Sequence, residues 1–194
     1  MESLWVVVVS YVIGMVPSAY IAARLCKGVD VRTIGDRNSG AANVYRNVSH
    51  TAGVLVLAAD VAKGTLAILL GKAIGSQAII FLCGMAVAAG HNWPAIFRFK
   101  GGRGLAPTIG VLFGLLPLPT AIFAVAGICS LWTTHNLLIT GAIMFAPLLV
   151  LALLLGTPVI VVLYALGLLC FAGIMHLVTT KRLTPSQKRE AVRW

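Results

Sequence analysis

From Leu105 to Val178 this chain has not one Asp, Glu, Lys or Arg. Soluble domains devote about a quarter of their residues to those four types. A water-facing surface cannot be built over so long a stretch without them. The bias extends to the whole chain of 194 residues, 59% hydrophobic and 10% charged. Disorder requires low hydrophobicity and is excluded. The class that remains is all-α: a polytopic membrane protein whose helices satisfy their own backbone groups within the lipid.

Proline, glycine and polar residues divide the chain into spans. Twenty helical residues cover about 30 Å of hydrocarbon. The first three spans are expected at about 4–23, 52–70 and 76–97. Breaks at Leu116–Pro119, Thr133–Asn136 and Gly156–Pro158 give four more, at about 105–115, 118–132, 137–155 and 158–178. The fourth is short, a partial or tilted helix. Residues 1–194 read as a single integral membrane domain, with 179–194 a basic cytosolic tail. Met1-Glu2-Ser3 lacks the positive charge of a secretory signal, so the first run reads as a retained span. Cys26, Cys83, Cys129 and Cys170 form no C-x-x-C pair and read as reduced packing residues.

The net charge is +10, carried by a few short loops. Arg24, Lys27, Arg32, Arg37 and Arg46 follow the first span; Arg98, Lys100 and Arg103 follow the third; Lys181, Arg182, Lys188, Arg189 and Arg193 follow the last. Seven spans with the N-terminus outside place all three groups in the cytoplasm. Merging spans four and five would export the C-terminal group, against the positive-inside rule. This pattern points to membrane topology and small anionic substrates rather than nucleic acid.

Four features invite chemistry. The loop Gly35–Arg46 combines glycine, two asparagines and two arginines, a composition suited to wrapping a phosphate or polyol. Residues 99–107, glycine-rich and basic, open onto the fourth span and offer backbone donors to an anion. Asp60 and Lys63 lie three apart inside the second span, where they share a face and can pair. His91 precedes Pro94, which frees a backbone carbonyl a turn earlier. A solvated loop or an interhelical ion pair is the plainer reading of each. No histidine spacing suggests a metal.

In order and spacing these pieces resemble the bacterial acyl-phosphate-dependent glycerol-3-phosphate acyltransferases, the PlsY family. The family pattern G-S-G-N-x-G-A-T-N-x-x-R is matched at Gly35, Asn38, Gly40, Ala41, Asn43 and Arg46. D-x-x-K-G is Asp60, Lys63 and Gly64. G-H-x-x-P and F-x-G-G-K-G-V-A-T are matched at Gly90, His91, Pro94, Gly101, Gly102, Gly104 and Ala106. In the last motif His176 and Arg182 fall in register. Asp36 stands at the family's serine, Arg37 at a glycine, Arg103 at a lysine and Thr179 at an asparagine. A carboxylate beside a phosphate repels it unless paired, so Asp36 is expected to pair with Arg37 or Arg46.

The resemblance implies transfer of a fatty acyl group from acyl phosphate to the 1-hydroxyl of glycerol 3-phosphate, giving lysophosphatidate and phosphate. It implies no metal and no organic cofactor. The cradle for glycerol 3-phosphate would be Gly35, Asn38, Gly40, Asn43 and Arg46, helped by Lys63, His176 and Arg182. Gly101, Gly102, Arg103 and Gly104 would clamp the second phosphate, and His91 would orient or deprotonate the hydroxyl. The partners are these two substrates and the lipid bilayer, and the place is the bacterial cytoplasmic membrane, with the site facing the cytosol. A diverged or inactive member and a small-anion transporter are the alternatives.

Overall fold

The computed structural model describes residues 4–194. Met1–Ser3, which entered the reading of the first span, lie outside the described residues. Ten α-helices follow: α1 Leu4–Met15, α2 Ser18–Lys27, α3 Ala41–Asn47, α4 His50–Ile74, α5 Gln77–Asn92, α6 Leu105–Leu115, α7 Pro117–Thr134, α8 Leu137–Leu154, α9 Val159–Thr180 and α10 Pro185–Ala191.

Six segments are long and apolar enough to cross a membrane: Leu4–Lys27, His50–Ile74, Gln77–Phe97, Pro117–Thr134, Leu137–Leu154 and Val159–Thr180. The expected fourth span is α6, whose 11 residues reach about 16 Å at 1.5 Å each. Six long spans and one short helix result, the fourth being short as expected. The first span is also not continuous: Pro17 has no N–H to donate, α1 stops at Met15 and α2 restarts at Ser18. The second outruns its expected limits because Ser49 caps its start, accepting from the Ala52 N–H, and Gly75 ends it at φ 85°.

Close approach of helices rests on glycine. A methyl group on Gly64 would lie 2.0 Å from the Pro107 carbonyl oxygen, and one on Gly110 would lie 1.9 Å from that of Val61. Here α4 and α6 touch backbone to backbone, and the Thr65 hydroxyl donates to the Gly110 carbonyl at 3.0 Å. Gly14 and Gly90 do the same between α1 and α5, against Val87 and Tyr11. Lipid gives no hydrophobic drive to helix pairing, so contact area and hydrogen bonds must supply it. Outward positions are apolar, with Trp132 82% and Leu154 78% exposed. Of the cysteines only Cys83 is buried; Cys26, Cys129 and Cys170 are exposed, against the packing role expected of them.

The segment expected as a tail is folded onto the bundle. Thr184 and Gln187 close a capping box on α10. Trp194 stacks on Tyr45, with ring centroids 4.9 Å apart. The Leu137 N–H donates to the Val192 carbonyl at 2.8 Å, and the Trp194 N–H to that of His135 at 3.2 Å. The loops after α2, α7 and α9 therefore meet at one end of the bundle. For α7 to return there, α6 must run away from it.

Gly110→Val is expected to lower the thermal midpoint in detergent by forcing α4 and α6 apart, overpacking that costs about 1–3 kcal/mol. An unchanged midpoint would mean that this contact does not hold the bundle.

Candidate active site

The site begins in the loop between α2 and α3. Asp30 caps the turn Val31–Thr33 and pairs with Arg32 at 2.7 Å; that guanidinium holds the Asp30 carboxyl below the usual carboxylate range. Gly35 follows at φ 54°, where a methyl group would lie 2.3 Å from both Asn43 Oδ1 and Asn47 Nδ2. Asn43 is fully buried, and its Nδ2 lies 3.0–3.1 Å from the carbonyls of Val31, Ile34 and Asn38. Its Oδ1 accepts from Asn47 at 2.9 Å. Both polar atoms of Asn43 are thus taken up in holding the loop. Asn38 and Gly40 complete the turn into α3, Gly40 as its N-cap residue.

This frame turns Asp36 inward, to 3% exposure. Arg103 Nη1 donates to its Oδ2 at 2.8 Å, and Arg46 Nη2 lies 3.5 Å from its Oδ1. Arg103 Nε donates to Thr179 Oγ1 at 3.1 Å. The expected partner Arg37 is exposed and makes no ion pair with Asp36. Arg46 Nη1 donates to the Arg193 carbonyl. Its Nε and Nη2 are buried and have no hydrogen-bond partner. Burial pulls the Arg46 guanidinium below its ordinary value, while Asp36 and Glu190 pull the other way; an arginine stays charged regardless.

A second cluster sits at the α1–α2 break. Lys63 Nζ donates at 2.6 Å to Asp60 Oδ1, to Ser18 Oγ and to the Val16 carbonyl. Ser18 Oγ donates to Asp60 Oδ1 at 3.0 Å. The intramembrane pair therefore mends the backbone that Pro17 interrupts. His91 Nδ1 is 3.9 Å from Asp60 Oδ1, too far for a hydrogen bond. With Asp60, Ser18 and Ser39, His91 lines a small cavity.

The glycine-rich loop lies between the clusters. The carbonyls freed at the end of α5 are taken up here: the Gly101 N–H donates to Asn92 at 3.1 Å and the Gly102 N–H to His91 at 3.0 Å. A methyl group on Gly102 would lie 2.1 Å from His91 Nε2. These two N–H groups, expected to face an anion, are already engaged; Gly102 leaves room for the imidazole, and Gly101 lets the turn lie against the His91 carbonyl. Gly104, at φ 82°, starts α6 beside Asn92.

Of the departures from the family pattern, Arg103 is thus in direct contact with two others, Asp36 and Thr179. His176 stands one turn before Thr179 on α9 and is half-buried. Arg182 is exposed and makes no side-chain hydrogen bond or ion pair among the described residues. Sequence reasoning did not single out Ser18, although a serine after a proline inside an apolar run was a signal.

The description "Glycerol-3-phosphate acyltransferase" belongs to the family model that matches residues 4–185. Glycerol-3-phosphate acyltransferase 4 of Dehalococcoides mccartyi is 39% identical over 177 residues, 91% of this chain and 96% of that protein. A glycerol-3-phosphate acyltransferase of Desulforudis audaxviator is 41% identical over 138 residues, 70% of each. The crystal structure of PlsY, an integral membrane glycerol 3-phosphate acyltransferase, in its glycerol 3-phosphate form superposes with a TM-score of 0.84 and 27% identity. That match covers 100% of this chain and 96% of that one. The lysophosphatidic acid form gives 0.80 and 26%, covering 98% of both. The chain belongs to the glycerol-3-phosphate acyltransferase family. Its activity is acyl transfer to glycerol 3-phosphate to give lysophosphatidic acid, which sets aside the transporter alternative.

Asp36 and Arg103 are expected to act as a unit. In a double-mutant cycle on kcat/KM, the double variant Asp36→Ser, Arg103→Lys should lose less than the sum of the two single losses, with a coupling of about 0.5–3 kcal/mol. Additive losses would mean that the pair does not matter to turnover.

Proposed function

We propose that the acyl donor is an acyl phosphate and that the attacking group is the 1-hydroxyl of glycerol 3-phosphate. The hydroxyl oxygen bonds to the acyl carbon, the bond from that carbon to the phosphate oxygen breaks, and the hydroxyl proton leaves with inorganic phosphate or a nearby base. An acyl phosphate is a mixed anhydride and needs no enzyme nucleophile. It needs charge neutralisation, alignment and exclusion of water.

One observation carries this reading: the Arg46 edge made by Nε and Nη2, buried beside Asp36 and without a hydrogen-bond partner. Two parallel donors on one guanidinium suit two phosphate oxygens. Arg103, oriented by Asp36 and Thr179, is assigned the second phosphate, with Gly104 opening α6 behind it. Gly35, Gly40, Asn38 and Asn43 shape the loop that presents Arg46. Lys63 holds the α1–α2 break next to the cavity, and His91 in that cavity is assigned to orient the attacking hydroxyl. His176 and Arg182 flank the site from α9 and the turn after it. The acyl tail lies between helices.

The site is assigned to the cytosolic side of the bacterial cytoplasmic membrane, with the N-terminus outside and α6 as a short seventh crossing. The meeting of the basic loops at one end supports this, since that end belongs in the cytoplasm.

Purified protein given acyl phosphate and glycerol 3-phosphate should release lysophosphatidate and phosphate in equal amounts. No product from acyl phosphate, against product from another activated acyl donor, would overturn the donor assignment. Arg46→Ala and Arg103→Ala should each lower turnover about tenfold to a hundredfold, the size of one charged hydrogen bond, with folded yield retained. Normal turnover in both would remove the arginine cluster from the reaction.

Cysteines placed at the exposed positions 37, 100 and 188 are expected to react with an impermeant thiol reagent only in inside-out vesicles. Labelling of position 188 from the outside would overturn the crossing count.

A further inference from the structure

The arginines of the buried cluster have little reach. Arg46 and Arg103 share the carboxylate of Asp36, so they can grip a phosphate at contact but attract one weakly from a distance. The unpaired cations of this end lie elsewhere. An open cleft of about 600 Å³ is lined by four cations, Arg32, Arg37, Arg98 and Lys100, by the single acid Asp30, and by Phe97 and Gly101. Arg32 is bound to Asp30 and sits over the Phe97 ring, 4.4 Å from its centroid. Arg37, Arg98 and Lys100 are exposed and form no side-chain hydrogen bond or ion pair among the described residues.

The cleft and the buried cluster are two sides of the same loops. Asp36 points inward, and Arg37, next in the chain at φ 57°, is exposed in the cleft. Lys100 is exposed in the cleft, and Arg103, three residues on, is buried in the cluster. Arg98 is held at φ 51°. Phe97 and Gly101 line both the cleft and the small cavity that contains Asp60 and His91. The two spaces share that wall. The positive-inside rule asks for cations in these loops but not for their convergence on one cleft.

We propose that this cleft is a vestibule that binds phosphate anions: it captures glycerol 3-phosphate from water and passes it over Phe97 and Gly101 toward the small cavity beside His91. The proposal rests on glycerol 3-phosphate as the acceptor. With Asp30 taken up by Arg32, the cleft keeps an excess of positive charge; such an excess concentrates the counter-ion and raises association rates by about 10–1000-fold, an effect that salt removes.

The test is the triple variant Arg37→Gln, Arg98→Gln, Lys100→Gln, in bilayers of zwitterionic lipid only. At about 20 mM ionic strength its kcat/KM for glycerol 3-phosphate should fall about tenfold below the parent's, with kcat unchanged. At about 500 mM the gap should close to within about twofold, since salt screens exposed charges. Equal kcat/KM at low salt would overturn the proposal, as would a fall in kcat that persists at high salt. A gap that arises only when anionic lipid is added would assign the cleft to lipid headgroups and also overturn it. Line broadening of inorganic phosphate in its NMR spectrum gives a readout without turnover. At low salt the parent should broaden it more than the triple variant, whatever the acceptor, and equal broadening would refute phosphate capture.

Discussion

The ion pair between Asp36 and Arg103 is the contact on which the rest of the site depends. It joins the loop before α3 to the loop before α6, and through Thr179 it reaches α9. Such a pair adds little net stability, because removing both ions from water costs about as much as their attraction returns. Its value lies in orientation. With Nη1 on Asp36 and Nε on Thr179, the plane of the Arg103 guanidinium is set by two partners from different parts of the chain. Deleting one partner would leave a buried charge uncompensated, a loss of about 3–5 kcal/mol. An ammonium group at position 103 has no planar fork with which to bridge both partners in this way. The acid at 36, the guanidinium at 103 and the hydroxyl at 179 therefore make physical sense together, whereas each alone looks like damage to a family motif.

The other charged cluster answers to the membrane. A lysine and an aspartate inside a span each cost roughly 2.5–3.5 kcal/mol on insertion scales. The break at Pro17 gives them a place. Lys63 Nζ meets a carboxylate, a hydroxyl and the Val16 carbonyl, so its charge and three donors are satisfied within one pocket. The break also sets the Asp60 carboxylate against the cavity that His91 lines.

The architecture was legible because its signals are local. Hydropathy located the six long apolar segments, and the Asp60–Lys63 pair followed from a spacing of three. Pro94 correctly announced free carbonyls near His91, but their partners, the Gly101 and Gly102 N–H groups, come from a turn whose path no periodicity reveals. The same limit explains Arg37. It is adjacent to Asp36 in sequence, yet neighbouring side chains diverge, and the acid's partners lie 10 and 67 positions away. The docked C-terminus was illegible for another reason. Its seven-residue helix is too short to be stable alone, and its charge resembled that of a solvated tail.

That docking bears on how Arg46 holds its free edge. An arginine on so short a helix as α3 would ordinarily turn toward water. Here the Arg193 carbonyl takes one end of the guanidinium, Glu190 accepts from the neighbouring Asn47 at 3.3 Å, and Trp194 covers Tyr45. The C-terminus closes over α3 like a backing plate. With one end held by Arg193 and water shut out, the Nε and Nη2 edge is left facing Asp36 with its donors unmet. A buried unmet donor is costly, about 1–3 kcal/mol each. On the proposed reading a phosphate completes the set during turnover, and the grip is the stronger because little water remains to be displaced.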